Sequence, residues 1–114
     1  MKIIKVSDYI ASAFSQEKAL ILREIIKNNL EENDEIVLDF SGIFKFTTLF
    51  FNFSTGYYIS LLGPNVYDKK ISLINLCDLG KSTYVSSYNN AVTKNDSSKE
   101  MQEKITEIIT NPEN

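Results

Sequence analysis

The chain has 114 residues, a net charge of −3, no histidine and a single cysteine, Cys77. That length buries a core without disulfides or metal, and the missing histidine removes the commonest general base and transition-metal ligand. One thiol makes neither an internal disulfide nor a cysteine-based zinc site, and with lysines and acids interspersed no basic run is available for phosphates, so nucleic-acid binding is not expected.

Lys2 to Val6 is rich in β-branched residues and reads as a first strand. Ser15 can cap a helix, with Glu17 favourably placed in its first turn. Ala19, Leu22, Ile26 and Leu30 then recur at helical spacing, and Ile25 widens the stripe. Glu31-Glu32-Asn33-Asp34 reads as a solvated turn rather than an acid/base or metal site. Ile36 to Phe40 is almost wholly apolar, which suits a central strand covered on both faces. Asp39 ends that strand, and Ser41-Gly42 makes a tight turn.

Phe46 to Tyr67 carries no charged side chain. A helix is expected from about Thr48 to Leu62, capped by Thr47 or Thr48. If Thr47 caps it, Phe46 and Phe51 hold the hydrophobic-staple positions. On one continuous helical wheel, Phe50, Phe53, Tyr57 and Leu61 form a core stripe. Phe51, Tyr58 and Leu62 form a second, offered as a partner or dimer interface. Asn52, Ser54, Thr55, Gly56 and Ser60 make the segment too polar for a membrane span.

Gly63-Pro64-Asn65 breaks the helix, and Lys70 to Leu76 reads as a third strand. Leu79 to Thr93 suggests a helix with Val85, Tyr88 and Val92 on one side. Lys94 to Ser98 is polar and reads as a linker. Ser97-x-x-Glu100 matches a capping box for a last helix whose stripe is Met101, Ile105, Ile108 and Ile109, core or dimer contact. One domain over residues 1–94 is therefore expected, followed by a linker and amphipathic helix over 95–114. The element order implies an α/β fold: a small mixed sheet of three or four strands with helices packed against it.

Three stretches, VLDFSGI (Val37 to Ile43), TTLFFNFSTGYYISLL (Thr47 to Leu62) and ISLINL (Ile71 to Leu76), resemble a bacterial STAS-like family known by a domain-of-unknown-function label. Asp39, Phe40, Gly42, Ile43, Phe50, Phe51 and Gly56 fall on its motif features, and the resemblance covers about residues 1–94. It implies a fold related to the STAS domains of anti-anti-sigma factors. Those domains dock on a histidine-kinase-like ATPase, which phosphorylates a Ser or Thr at the helix start. The matching hydroxyl here is Thr48, or Thr47 if the alignment slips. The acid and glycine of the usual D-S-[ST]-G opening are replaced by Thr47-Thr48-Leu49-Phe50.

The expectation is a non-enzymatic regulatory domain of a bacterial or phage cytoplasm, with no cofactor and no membrane association. It docks through the loop holding Asp39, Ser41 and Gly42 and the helix that follows, onto a protein partner such as that ATPase, and it forms a homodimer. The alternative is an accessory or inhibitor protein of a phage or mobile element that self-assembles and occludes a host or defence protein. An enzyme built on Asp39 would need a second carboxylate. Asp78 alone has comparable topology, and Cys77 has no histidine to activate it.

Overall fold

The computed structural model describes the backbone of residues 1–104 and the side chains of residues 1–93. Three strands, β1 (Lys2–Lys5), β2 (Ile36–Asp39) and β3 (Ile71–Ile74), form a sheet in the order β1-β2-β3. Both pairings are parallel, Lys2 aligning with Ile36 and Ile36 with Ile71. The α/β class expected from the alternating patterns is the one observed, with all three strands parallel. A strand order that never reverses puts both right-handed crossovers on one side of the sheet. The burial agrees with this. Ile4, Ile36, Leu38 and Ile71 are buried, whereas Ile3 on the other face is 56% exposed and Ile74 40%. The second strand is thus covered on one face, not two. Its alternate residues Val37 and Asp39 are only half-buried.

Helix α1 (Gln16–Leu30) starts where the capping signal lies, with the Ser15 hydroxyl accepting from the Lys18 N–H at 3.2 Å. Ala19, Leu22 and Ile26 are buried as their spacing requires.

The expected helix from Thr48 to Leu62 is two helices, α2 (Thr48–Phe53) and α3 (Thr55–Leu62). The chain departs from helical geometry at Ser54, with φ −110° and ψ −90°. The Ser54 hydroxyl donates to the Phe50 carbonyl at 2.8 Å, an alternative to the helical ladder that adjacent hydroxyl residues provide. The break resets the helical phase, so the single-wheel assignment fails. Phe51 and Tyr58 are core residues and Leu62 is half-buried, whereas Tyr57 and Leu61 of the supposed core stripe are 39% and 61% exposed. The proposed interface of Phe51, Tyr58 and Leu62 is corrected on this ground. Both flanks of the segment are covered, by α1 on α2 and by the last helix, α5 (Asp78–Lys104), on α2 and α3. That is why it carries no charge.

Phe51 is the hub of an aromatic cluster. Its ring stacks on Phe46 at 5.7 Å and meets Phe40, Phe50 and Tyr84 edge-on at 5.8, 5.3 and 5.2 Å. Tyr58 ties α3 to α1 through a bond from its hydroxyl to the Arg23 carbonyl, 3.1 Å long. The Arg23 guanidinium lies 3.9 Å over the exposed Tyr57 ring. At Gly56 a Cβ would sit 2.9 Å from the Phe51 carbonyl oxygen and 3.4 Å from the Ser87 hydroxyl. Glycine is required there chiefly because a side chain would collide with the Phe51 carbonyl across the break between α2 and α3.

Gly63 ends α3, but in place of the expected break Pro64 opens another helix, α4 (Pro64–Lys70). Proline suits the first position of a helix, where its missing N–H would be unpaired in any case. Its Tyr67 is fully buried and hydrogen-bonds Tyr84 of α5 at 2.8 Å. Burial raises both phenols, that of Tyr84 to about 12. Helix α5 (Asp78–Lys104) is continuous. The linker expected over 94–98 and the fresh start at Ser97 are replaced by uninterrupted helical backbone. Ile105, Ile108 and Ile109 of the last stripe lie outside the described residues.

Candidate functional site

All three strands point their carboxyl ends at one edge of the molecule, where the loops after β1, β2 and β3 meet. The loop after β2 begins at Asp39. One carboxylate oxygen accepts from the Ser41 N–H at 2.9 Å and from the Asn75 amide at 3.0 Å. These bonds, the Asn75 one foremost, hold the Asp39 carboxyl below its ordinary range. Asn75 reaches this position with φ +61°, in the left-handed region that asparagine tolerates. Gly42 follows at φ +83°, where a side chain would be strained.

Farther along, the loop is pinned to the segment after β1. The Ala13 N–H donates to the Lys45 carbonyl at 2.9 Å and the Thr47 N–H to the Ala13 carbonyl at 3.0 Å. The Thr47 hydroxyl accepts from the Phe50 N–H at 3.1 Å, as an N-cap does, and donates to the Phe14 carbonyl at 2.7 Å. Of the two threonines singled out in the sequence, Thr47 is the cap. Thr48 is the first residue of α2 and half-buried. Thr47→Ala removes both bonds at once. It should cost about 1–2 kcal/mol, read as a lower urea midpoint with unchanged urea dependence.

Ile43 and Phe46 turn inward from this loop, while Phe44 turns out and is 69% exposed. Phe14 and Leu79, both more than half exposed, stand beside it. With Ser12, Lys45 and the edge of Phe46 they line a shallow apolar hollow. The sequence reading did not single out Phe14, Phe44 or Leu79. No periodic pattern marks Phe44: along Ile43-Phe44-Lys45-Phe46 the side chains run buried, exposed, exposed, buried, which is neither a strand nor a helix period.

Asp39 is met by Asn75 rather than by Asp78, and no group of three potential metal-ligating side chains occurs among the described residues. Cys77 is half-buried. No helix among the described residues is long and apolar enough to cross a membrane.

A family model described as a STAS-like domain of unknown function matches residues 19–81, more than half of the chain. The chain belongs to that STAS-like family. No curated protein and no solved structure gives a match. The matched span of the STAS-like domain runs from α1 into the first turn of α5. It therefore takes in Asp39, Gly42, Phe44, Thr47, Thr48 and Leu79, while Phe14 precedes it.

Proposed function

We propose that this STAS-like domain is a non-enzymatic regulatory module that docks on a protein partner through the loop after β2 and the start of α2. The observation that carries the reading is the side-by-side exposure of Phe14, Phe44 and Leu79 over a loop pinned by backbone hydrogen bonds. Soluble proteins leave few large apolar side chains grouped in water without a use for them. A loop already held in place loses little further freedom on binding, so more of the contact energy goes into affinity. The hollow replaces the apolar stripe of α2 and α3 as the docking surface.

The family resemblance suggests a cytoplasmic histidine-kinase-like ATPase as the partner. Thr48 stays the candidate phosphoacceptor, because Thr47 commits its hydroxyl in both directions. A phosphate at Thr48 would bring about −1.5 to −2 charges to the start of α2, two residues beyond Phe46 of the hollow's lining, and favour release.

Calorimetric titration of such an ATPase with the parent and with Phe44→Glu tests the docking site. Binding should weaken at least tenfold, about 1.4 kcal/mol. The fold should be untouched, since Phe44 already faces water. Equal binding of the two proteins would remove the hollow as the docking site.

A further inference from the structure

The exposed edge of β1 is a second surface, distinct from the docking hollow. The Lys2 N–H donates to the Glu35 carbonyl at 3.0 Å, and Lys2 and Ile4 stand in register with Ile36 and Leu38. In a parallel ladder alternate residues turn both backbone groups toward the same neighbour. Lys2 and Ile4 are therefore bonded to β2, and Ile3 and Lys5 turn their N–H and C=O groups outward. Among the described residues β1 has β2 as its only strand neighbour. Outward donors and acceptors on an exposed edge are a template for another strand. Ile3 also lies on the uncovered face of the sheet, in one row with half-buried Val37.

We infer that β1 pairs antiparallel with β1 of a second copy, about a two-fold axis at Ile3, to make a six-stranded sheet. The sequence of the strand argues for a second copy as the occupant. Only outward-facing residues can oppose one another. Centring on Ile3 sets Ile3 against Ile3, Lys5 against Met1 and Lys2 against Ile4. No lysine meets a lysine, and like charges directly opposite would destabilise the pair. A one-residue shift would oppose Lys2 and Lys5, and it would demand the backbone groups that Lys2 and Ile4 already give to β2. A two-residue shift would set Ile3 against Lys5 and interrupt the apolar row. In the favoured register Val37, Ile3, Ile3 and Val37 run unbroken across the two subunits on the bare face. Each copy spends its β1 edge on the other, so the assembly closes at two. A four-residue strand buries little area, which places the dimer at the weak, concentration-dependent end of protein association.

Sedimentation velocity over a wide concentration range tests this. The parent should move from monomer to dimer as concentration rises. Ile3→Lys sets like charges against each other and should stay monomeric throughout. Its circular dichroism and urea midpoint should match the parent, because Ile3 already faces water. Ile3→Glu alone should also be monomeric, and an equimolar mixture of Ile3→Lys and Ile3→Glu should regain the dimer. A parent that stays monomeric, an Ile3→Lys variant that dimerises as the parent does, or a mixture that stays monomeric would overturn the proposal. Loss of the dimer in Phe44→Glu but not in Ile3→Lys would overturn it as well and assign self-association to the hollow. The calorimetric titration of the docking hollow is read separately, so the two ideas fail independently.

Discussion

Phe51→Ala should cost about 3–5 kcal/mol of stability, in the range of large-to-small aromatic truncations in cores. The side chain is fully buried, and its ring touches four others. Phe40, Phe46 and Phe50 are themselves buried rings, so they fill the gap poorly when the Phe51 ring is removed. Domains of this size have about 5–15 kcal/mol in all, so the variant should sit close to its unfolding threshold. Guanidinium unfolding followed by circular dichroism measures it. A midpoint within error of the parent would show that Phe51 does not centre the core. Phe51→Leu keeps most of the volume and should fall between the two.

Tyr58→Lys is the second large effect. Tyr58 is 6% exposed, and its hydroxyl bonds a backbone carbonyl of α1. Lysine there loses the ring packing and must carry an ammonium into a buried position or drag α3 off α1. Either course costs more than one side chain normally contributes. The variant should be unfolded or insoluble on expression. Tyr58→Phe is the control. It keeps the ring and loses one hydrogen bond, so it should fold with a loss of about 0.5–1.5 kcal/mol. A soluble, folded Tyr58→Lys protein of normal midpoint would return Tyr58 to the surface and with it the interface once assigned to this stripe.

The contrast between these residues and Phe44 shows what was legible in the sequence. Strand positions, the Ser15 cap, the α1 stripe and the Thr47 cap are local signals, and each lies where its pattern put it. The family resemblance rested on the same strand–turn–helix motif and reached the right family. The phase of the apolar stripes after Thr48 was not legible. A helical wheel assumes one uninterrupted axis, and the Ser54-Thr55 hydroxyls break it. Nor was the burial of the second stripe legible, because its cover from α1 and α5 depends on tertiary packing. Proline was read as a stop, although at Pro64 it serves as a start. The hollow was not legible because Phe14 and Phe44 come from two separate loops and Leu79 from the first turn of α5, and only the parallel sheet brings the three to one edge.

The parallel sheet has a consequence for how the chain reaches its native state. Residue 2 pairs with 36, and residue 36 with 71. No strand meets its neighbour through a hairpin, so no turn can seed the sheet locally. Closing each span costs chain entropy before any ladder bond returns it. The only local structure the chain can make before the sheet is helical, and α1 carries both a cap and an apolar stripe. Until β3 docks, β2 is a bare apolar strand with one side open. The order of synthesis gives it β1 as the first available neighbour, and β3, the last strand made, completes the sheet.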